Sequence, residues 1–139
     1  MILLDTCVIS EALKPEPSPE VLQWIDGIPE TRAFLPSVVL GELHNGIEQL
    51  VAGRKRDALR LWLEQLRERF AGRVTSFDEE TAVVWGSLLA GLESRGRTLP
   101  IIDGIIAATA LRHSALLATR NTLDFLDTGV EVINPWDDA

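Results

Sequence analysis

Four carboxylates in this chain stand where apolar sequence makes an unpaired charge expensive. Asp5 closes the run Met1-Ile2-Leu3-Leu4, Glu42 lies among Val38, Val39 and Leu43, Asp103 follows Leu99-Pro100-Ile101-Ile102, and Asp124 ends Thr119-Arg120-Asn121-Thr122-Leu123. A charge beside a core needs a counter-charge or a cation. On a helix the neighbours of Glu42 are Val38, Val39, Asn45 and Gly46, and those of Asp103 include Pro100, Ile106 and Ala107, so neither has a Lys or Arg on its own face. Hard oxygen donors select Mg²⁺ or Mn²⁺, and nothing here has the Cys/His spacing of a zinc site. The expectation is a metal-dependent acidic centre built from Asp5, Glu42, Asp103 and Asp124.

Each acid also has a structural reading. Asp5, or Thr6 in its place, can cap a helix after the strand. Glu42 can belong to a tertiary salt bridge, and Asp103 gains from the dipole of a first helical turn. Asn121 with Asp124 three positions later imitates a capping box. Gly41 and Gly46, flanking Glu42 inside a helix, point to close approach by another group or backbone, and Gly104 leaves room for a ligand beside Asp103. His44 and His113 read as structural or solvent-facing. Cys7 has no neighbouring His to activate it and reads as a small buried side chain.

The elements that must carry these residues follow from hydropathy and punctuation. Ile2–Leu4, Ala33–Leu35 before Pro36, a short strand at Val74, Leu116–Ala118 and Val130–Ile133 read as strands. Pro15, Pro17 and Pro19 lead into an amphipathic segment at Val21–Ile25. Ser37 is the expected N-cap of a helix whose apolar face runs through Val38, Val39, Leu43, Ile47, Leu50 and Val51. Further helices are expected from Arg54 to Phe70, from Asp78-Glu79-Glu80 towards Ser94, and from Pro100 in its first turn through Ala110, the last apolar almost all round. Strands alternating with helices predict an α/β fold: one domain over 1–139 with a mainly parallel five-stranded sheet flanked by helices. In such sheets ligands bind beyond the carboxyl ends of the strands, where Asp5 and the segment 119–124 fall.

Composition narrows the function. A chain of 139 residues, 46% hydrophobic, buries one core, and a net charge of −8 gives no general basic surface for nucleic acid, so any such contact must be local or metal-assisted. Arg54, Lys55, Arg56 and Arg60 offer one local basic face, which reads equally as a solvated helix surface. Trp24 and Trp62 read as core or as lining for a partner groove. A single cysteine and the lack of a long apolar run suggest a reducing, cytoplasmic setting with no membrane association.

Taken in order, Leu3-Leu4-Asp5-Thr6-Cys7-Val8-Ile9-Ser10, Ser37-Val38-Val39-Leu40-Gly41-Glu42-Leu43, Leu99-Pro100-Ile101-Ile102-Asp103-Gly104-Ile105-Ile106-Ala107-Ala108-Thr109-Ala110 and Leu117-Ala118-Thr119-Arg120-Asn121-Thr122-Leu123-Asp124-Phe125 resemble the PIN-domain family, and within it the VapC/FitB group of ribonuclease toxins from type II toxin–antitoxin modules. The resemblance spans Ile2 to Trp136. It implies that Asp5, Glu42, Asp103 and Asp124 form a catalytic metal-binding quartet for Mg²⁺ or Mn²⁺, with Thr6 and Asn121 in support. It also implies an RNA substrate cut endonucleolytically, a cognate antitoxin whose tail covers the active site, and a homodimer that can enter a larger toxin–antitoxin complex. Arg120 reads equally as a contact for a substrate phosphate and as an exposed arginine closing a strand. Cys7 departs from the Ser or Asn frequent at its position, a change of packing more than of chemistry.

Two other classes are weighed. A phosphatase or phospho-acceptor domain fits poorly, because Asp5-Thr6-Cys7 lacks a second Asp and the only lysines, Lys14 and Lys55, lie far from any late strand. A non-catalytic binding module, whose acidic pocket recognises an arginine-bearing partner, is the remaining alternative.

Overall fold

The computed structural model describes residues 1–137. Five strands, β1 (Ile2–Leu4), β2 (Ala33–Pro36), β3 (Val74–Thr75), β4 (Leu116–Ala118) and β5 (Val132–Ile133), form one sheet in the order β3-β2-β1-β4-β5. Every pairing is parallel, so the expected mainly parallel sheet is wholly so. Six helices flank it: α1 (Thr6–Ser10), α2 (Pro19–Asp26), α3 (Ser37–Glu48), α4 (Arg54–Arg69), α5 (Glu79–Ser94) and α6 (Ile101–His113). Leu3, Leu4, Leu35 and Leu117 on the sheet pack with Val39 of α3 and Ile106 of α6 in a dry core, as continuous apolar runs in a two-sided sheet require. Among the described residues no helix is long and apolar enough to cross a membrane.

The sheet reverses direction at β1. The chain goes from β1 to β2 and β3 on one side, and only after α5 and α6 returns to lay β4 on the other. That is a topological switch point, and the crevice above it opens at the carboxyl ends of β1 and β4. There the Asp5 N–H donates to the Ala118 carbonyl at 3.0 Å, tying the first residue past β1 to the end of β4.

Several element ends differ from the sequence reading. Pro36, still extended at φ −62° and ψ 136°, is both the last residue of β2 and the N-cap of α3, so Ser37 is the first helical residue and its hydroxyl caps nothing. Pro100 is likewise the cap of α6, outside its first turn. The helix α3 stops at Glu48, and Val51, expected on its buried face, is 88% exposed. Burial of α6 holds for Ile106–Ala110, but Ile101 at its start is 72% exposed. The last strand is only Val132–Ile133, because Thr128 makes a turn whose hydroxyl accepts the Val130 N–H at 3.2 Å. Trp24 and Trp62 are both half-buried against the core. The single-domain expectation also covers 138–139, which lie outside the described residues.

Candidate active site

Asp5 is the anchor of the site. It is 5% exposed, and its carboxylate is fixed from two sides. One oxygen caps α1 by accepting the Thr6 N–H at 2.8 Å, and the other accepts the Thr119 hydroxyl at 2.7 Å. The helix-cap reading of Asp5 therefore holds, with Asp5 rather than Thr6 as the cap, and it coexists with a place at the switch-point crevice. Thr6 serves elsewhere: its hydroxyl donates to Glu42 Oε1 at 2.6 Å, linking α1 to α3. Two successive residues after β1 thus orient two carboxylates that the sequence separates widely.

Asp103 enters from the first turn of α6 and Asp124 from a 3₁₀ turn at Thr122–Phe125. Burial, and then the charges of Asp5, Asp124 and Glu42 in that order, push the Asp103 carboxyl up to about 6. The four acids share one electrostatic neighbourhood. None of them has a Lys, Arg or His within ion-pair distance among the described residues, so the salt-bridge reading of Glu42 fails. The capping-box reading of Asn121 and Asp124 fails too, since no side chain caps that turn. The Asn121 N–H is held by Thr119 Oγ1 at 3.1 Å, and Asp124 is left exposed.

Thr119 is the residue that the sequence reading missed as part of the site. It is fully buried at the end of β4, gives its proton to Asp5 and accepts from Asn121. Its signal was a hydroxyl at the carboxyl end of a buried strand, where an apolar residue would cost nothing to satisfy. Cys7 is half-buried between Asp5 and Thr119, and burial raises its thiol pKa, which keeps it protonated and un-nucleophilic.

Arg120 is exposed, with its guanidinium over the Trp136 ring at 4.7 Å, and it lines a concavity of about 290 Å³ together with Asn121, Thr122, Leu123 and Asp124. The basic face of α4 is partly spent on its own chain: Arg60 makes a two-pronged pair with Glu48 at 2.7 and 2.8 Å, and Arg56 reaches the Leu50 carbonyl. His44 is exposed and His113 lies in the last turn of α6, neither near the acids by hydrogen bond. The two kinds of glycine part company. A Cβ on Gly104 would stand 3.3 Å from Trp85 Nε1, so that space belongs to the packing of α5 on α6 and not to a ligand. Around Gly41 and Gly46 a Cβ would meet nothing within 4 Å, so no other part of this chain makes the expected close approach.

The donor set fits a hard divalent cation: carboxylate oxygens, no cationic partner, and mutual repulsion that raises one of them. Among the described residues no three His, Cys, Asp or Glu side chains stand close enough together to hold a metal ion by themselves. Mg²⁺ does not ask for three, since it is commonly held by one or two carboxylates with water and substrate phosphate completing the shell.

A family profile described as PIN domain matches residues 2–130. Toxin FitB of Neisseria gonorrhoeae is 40% identical over 139 residues, covering 99% of this chain and 100% of that protein. The VapC ribonuclease Y4jK of Sinorhizobium fredii is 39% identical over 140 residues, covering all of both. Among solved structures, FitAcB from Neisseria gonorrhoeae superposes with a TM-score of 0.93 at 40% identity over 98% of this chain and 99% of that one. A member of the VapBC family of toxin–antitoxin systems, VapBC-5 from Mycobacterium tuberculosis, reaches 0.65 at 30% identity over 94% of each chain. With an all-parallel sheet, Asp5 at its switch point and a match of this extent, the chain belongs to the PIN-domain family.

Proposed function

We infer that the protein is a Mg²⁺- or Mn²⁺-dependent endoribonuclease, the toxin of a type II toxin–antitoxin pair. The observation that carries this reading is that the charges of Asp5, Asp124 and Glu42 all act on Asp103, while none of the four has a basic side chain within ion-pair distance among the described residues. The relatives named toxin and VapC ribonuclease support it at full length. The four acids are the proposed catalytic metal-binding set.

Asp5, Glu42, Asp103 and Asp124 would hold a divalent cation, which would supply an activated water for attack on a phosphodiester and a counter-charge for the phosphate. The chain's own residues supply geometry. Thr119 and the Thr6 N–H hold Asp5 in one orientation, and the Thr6 hydroxyl holds Glu42 in another, so two ligands are preorganised before substrate arrives. Burial and its acidic neighbours make the charge of Asp103 costly without a cation. Asp124, on an exposed turn, adds a fourth carboxylate whose charge acts on Asp103. Arg120, braced on Trp136, holds a phosphate of the substrate. Asn121 supports the turn through its bond to Thr119.

The same reading gives the protein a cognate antitoxin that covers the acidic crevice, a homodimeric working form and a cytoplasmic setting, where its RNA is. The test is incubation of antitoxin-free protein with total bacterial RNA in Mg²⁺, Mn²⁺ or EDTA, beside Asp5→Asn and Asp103→Asn. Cleavage that needs metal and vanishes in both variants is expected. Cleavage that persists in them, or in EDTA, would refute the assignment of the site.

A further inference from the structure

Val38, Gly41, Glu42 and Asn45 fall at helical spacing along α3 and share one stripe. Facing them is Ile102, in the first turn of α6. Together they line an open, shallow concavity of about 240 Å³ that includes Glu42 in its wall. Its walls, Val38 and Ile102, are half-buried apolar side chains, while Gly41 and Asn45 are exposed. Apart from Glu42 the lining is uncharged.

Glycine is the least favourable residue for a helix interior after proline, and here nothing within the chain explains it. A Cβ at Gly41 would touch no atom within 4 Å, so packing does not demand its absence. What a side chain there would do is fill the floor of the concavity. The space is large enough for one flat heterocycle, Val38 and Ile102 offer its faces apolar contact, and the single neutral amide of Asn45 offers both a donor and an acceptor. A peptide arginine or a phosphate would find no matching charge except Glu42, which belongs to the acidic centre.

We propose that this concavity receives one nucleobase of the RNA adjoining the cut phosphate, with Gly41 as its bare floor and Asn45 reading the base edge. The inference rests on the acidic centre being the site of cleavage. Val38 and Ile102 hold the base flat, and the phosphate attached to the same nucleotide then lies at Glu42. Base preference at one position beside the cut is accordingly set by α3.

The experiment maps cut sites by sequencing the 5′ ends released from total bacterial RNA in Mn²⁺. It uses the wild type, Gly41→Leu, Asn45→Ala, Asp5→Asn and, as a control for leucine on an exposed helix, Gly91→Leu. Gly41→Leu should slow cleavage by about tenfold or more while melting no lower than the wild type and keeping the Mn²⁺-induced rise in melting temperature. Asn45→Ala should keep cleaving but lose preference at one position flanking the cut. Gly91→Leu should match the wild type. Unchanged rate in Gly41→Leu, loss of its metal response, an unchanged profile in Asn45→Ala or an equal slowing in Gly91→Leu would each overturn the base pocket. Cleavage by Asp5→Asn, or none by the wild type, would instead overturn the acidic centre, and the pocket with it.

Discussion

Replacing Asp103 by Asn should stabilise the metal-free protein at neutral pH, although it removes one of the proposed metal ligands. Burial and the charges of Asp5, Asp124 and Glu42 lift this carboxyl to about 6. That is roughly two units above an ordinary aspartate, or about 3 kcal/mol taken at face value. Asp103 is only half-buried, so solvent screening reduces the figure to about 1.5 kcal/mol. The dipole of α6 favours the charge in its first turn and takes back about 0.5 kcal/mol, which leaves a net gain near 1 kcal/mol. For a domain of this size the melting temperature should rise by about 4 °C.

The pH dependence has a definite sign. The folded chain holds the Asp103 proton to higher pH than the unfolded chain does, so this contribution is full below about pH 4 and is lost as pH rises through about 6. Wild type and variant should therefore converge in acid and separate towards neutrality. Metal inverts the order: a cation at ten times its dissociation constant adds about 1.4 kcal/mol to the wild type and little to the variant. Differential scanning calorimetry in EDTA between about pH 4 and 8, followed by a Mn²⁺ titration, reads all of this. A variant no more stable than the wild type at neutral pH in EDTA, or a gap that ignores pH, would refute the argument.

Three further outcomes are expected. Thr119→Val keeps the shape but removes the donor to Asp5 and the acceptor for Asn121 inside a buried site, and should cost about 1–3 kcal/mol in chemical denaturation together with a loss of RNA cleavage. Gly41→Ala should stabilise α3 by up to about 1 kcal/mol because its Cβ meets nothing, whereas Gly104→Ala pushes on Trp85 and should forfeit that gain; equal urea midpoints would contradict the difference. Arg120→Ala should lower the affinity for RNA, read by fluorescence anisotropy in Ca²⁺, while changing stability by no more than about 1 kcal/mol through the lost stacking on Trp136.

Most of the fold was legible because its signals are local. The apolar triplets Ile2–Leu4 and Leu116–Ala118, and the acidic start of α5, announce themselves within a few residues. What misled was the competition at element ends, where Pro36 and Pro100 serve as caps and Ser37 does not. The four acids were visible as charges in apolar surroundings. Their supports were not, because the bonds from Thr6 to Glu42 and from Thr119 to Asp5 join residues that no pattern in the sequence pairs. Gly104 and Gly41 look alike in sequence, and only the position of Trp85 separates a packing glycine from an open one.

The order of the strands also sets a clock on the activity. Asp5 and Thr119 are 114 residues apart in sequence, and β4, which brings them together, is the fourth strand made. At about 10 residues per second, roughly 10 s of synthesis separate the two ends of that hydrogen bond. Until β4 is made, the growing chain carries Asp5 and Glu42 but lacks the strand that completes the crevice, and Thr119 and Asp124 do not yet exist. On the proposed assignment of the site, a nascent chain that has not yet reached residue 124 is therefore inert towards RNA, and the hazard begins only once those residues are made.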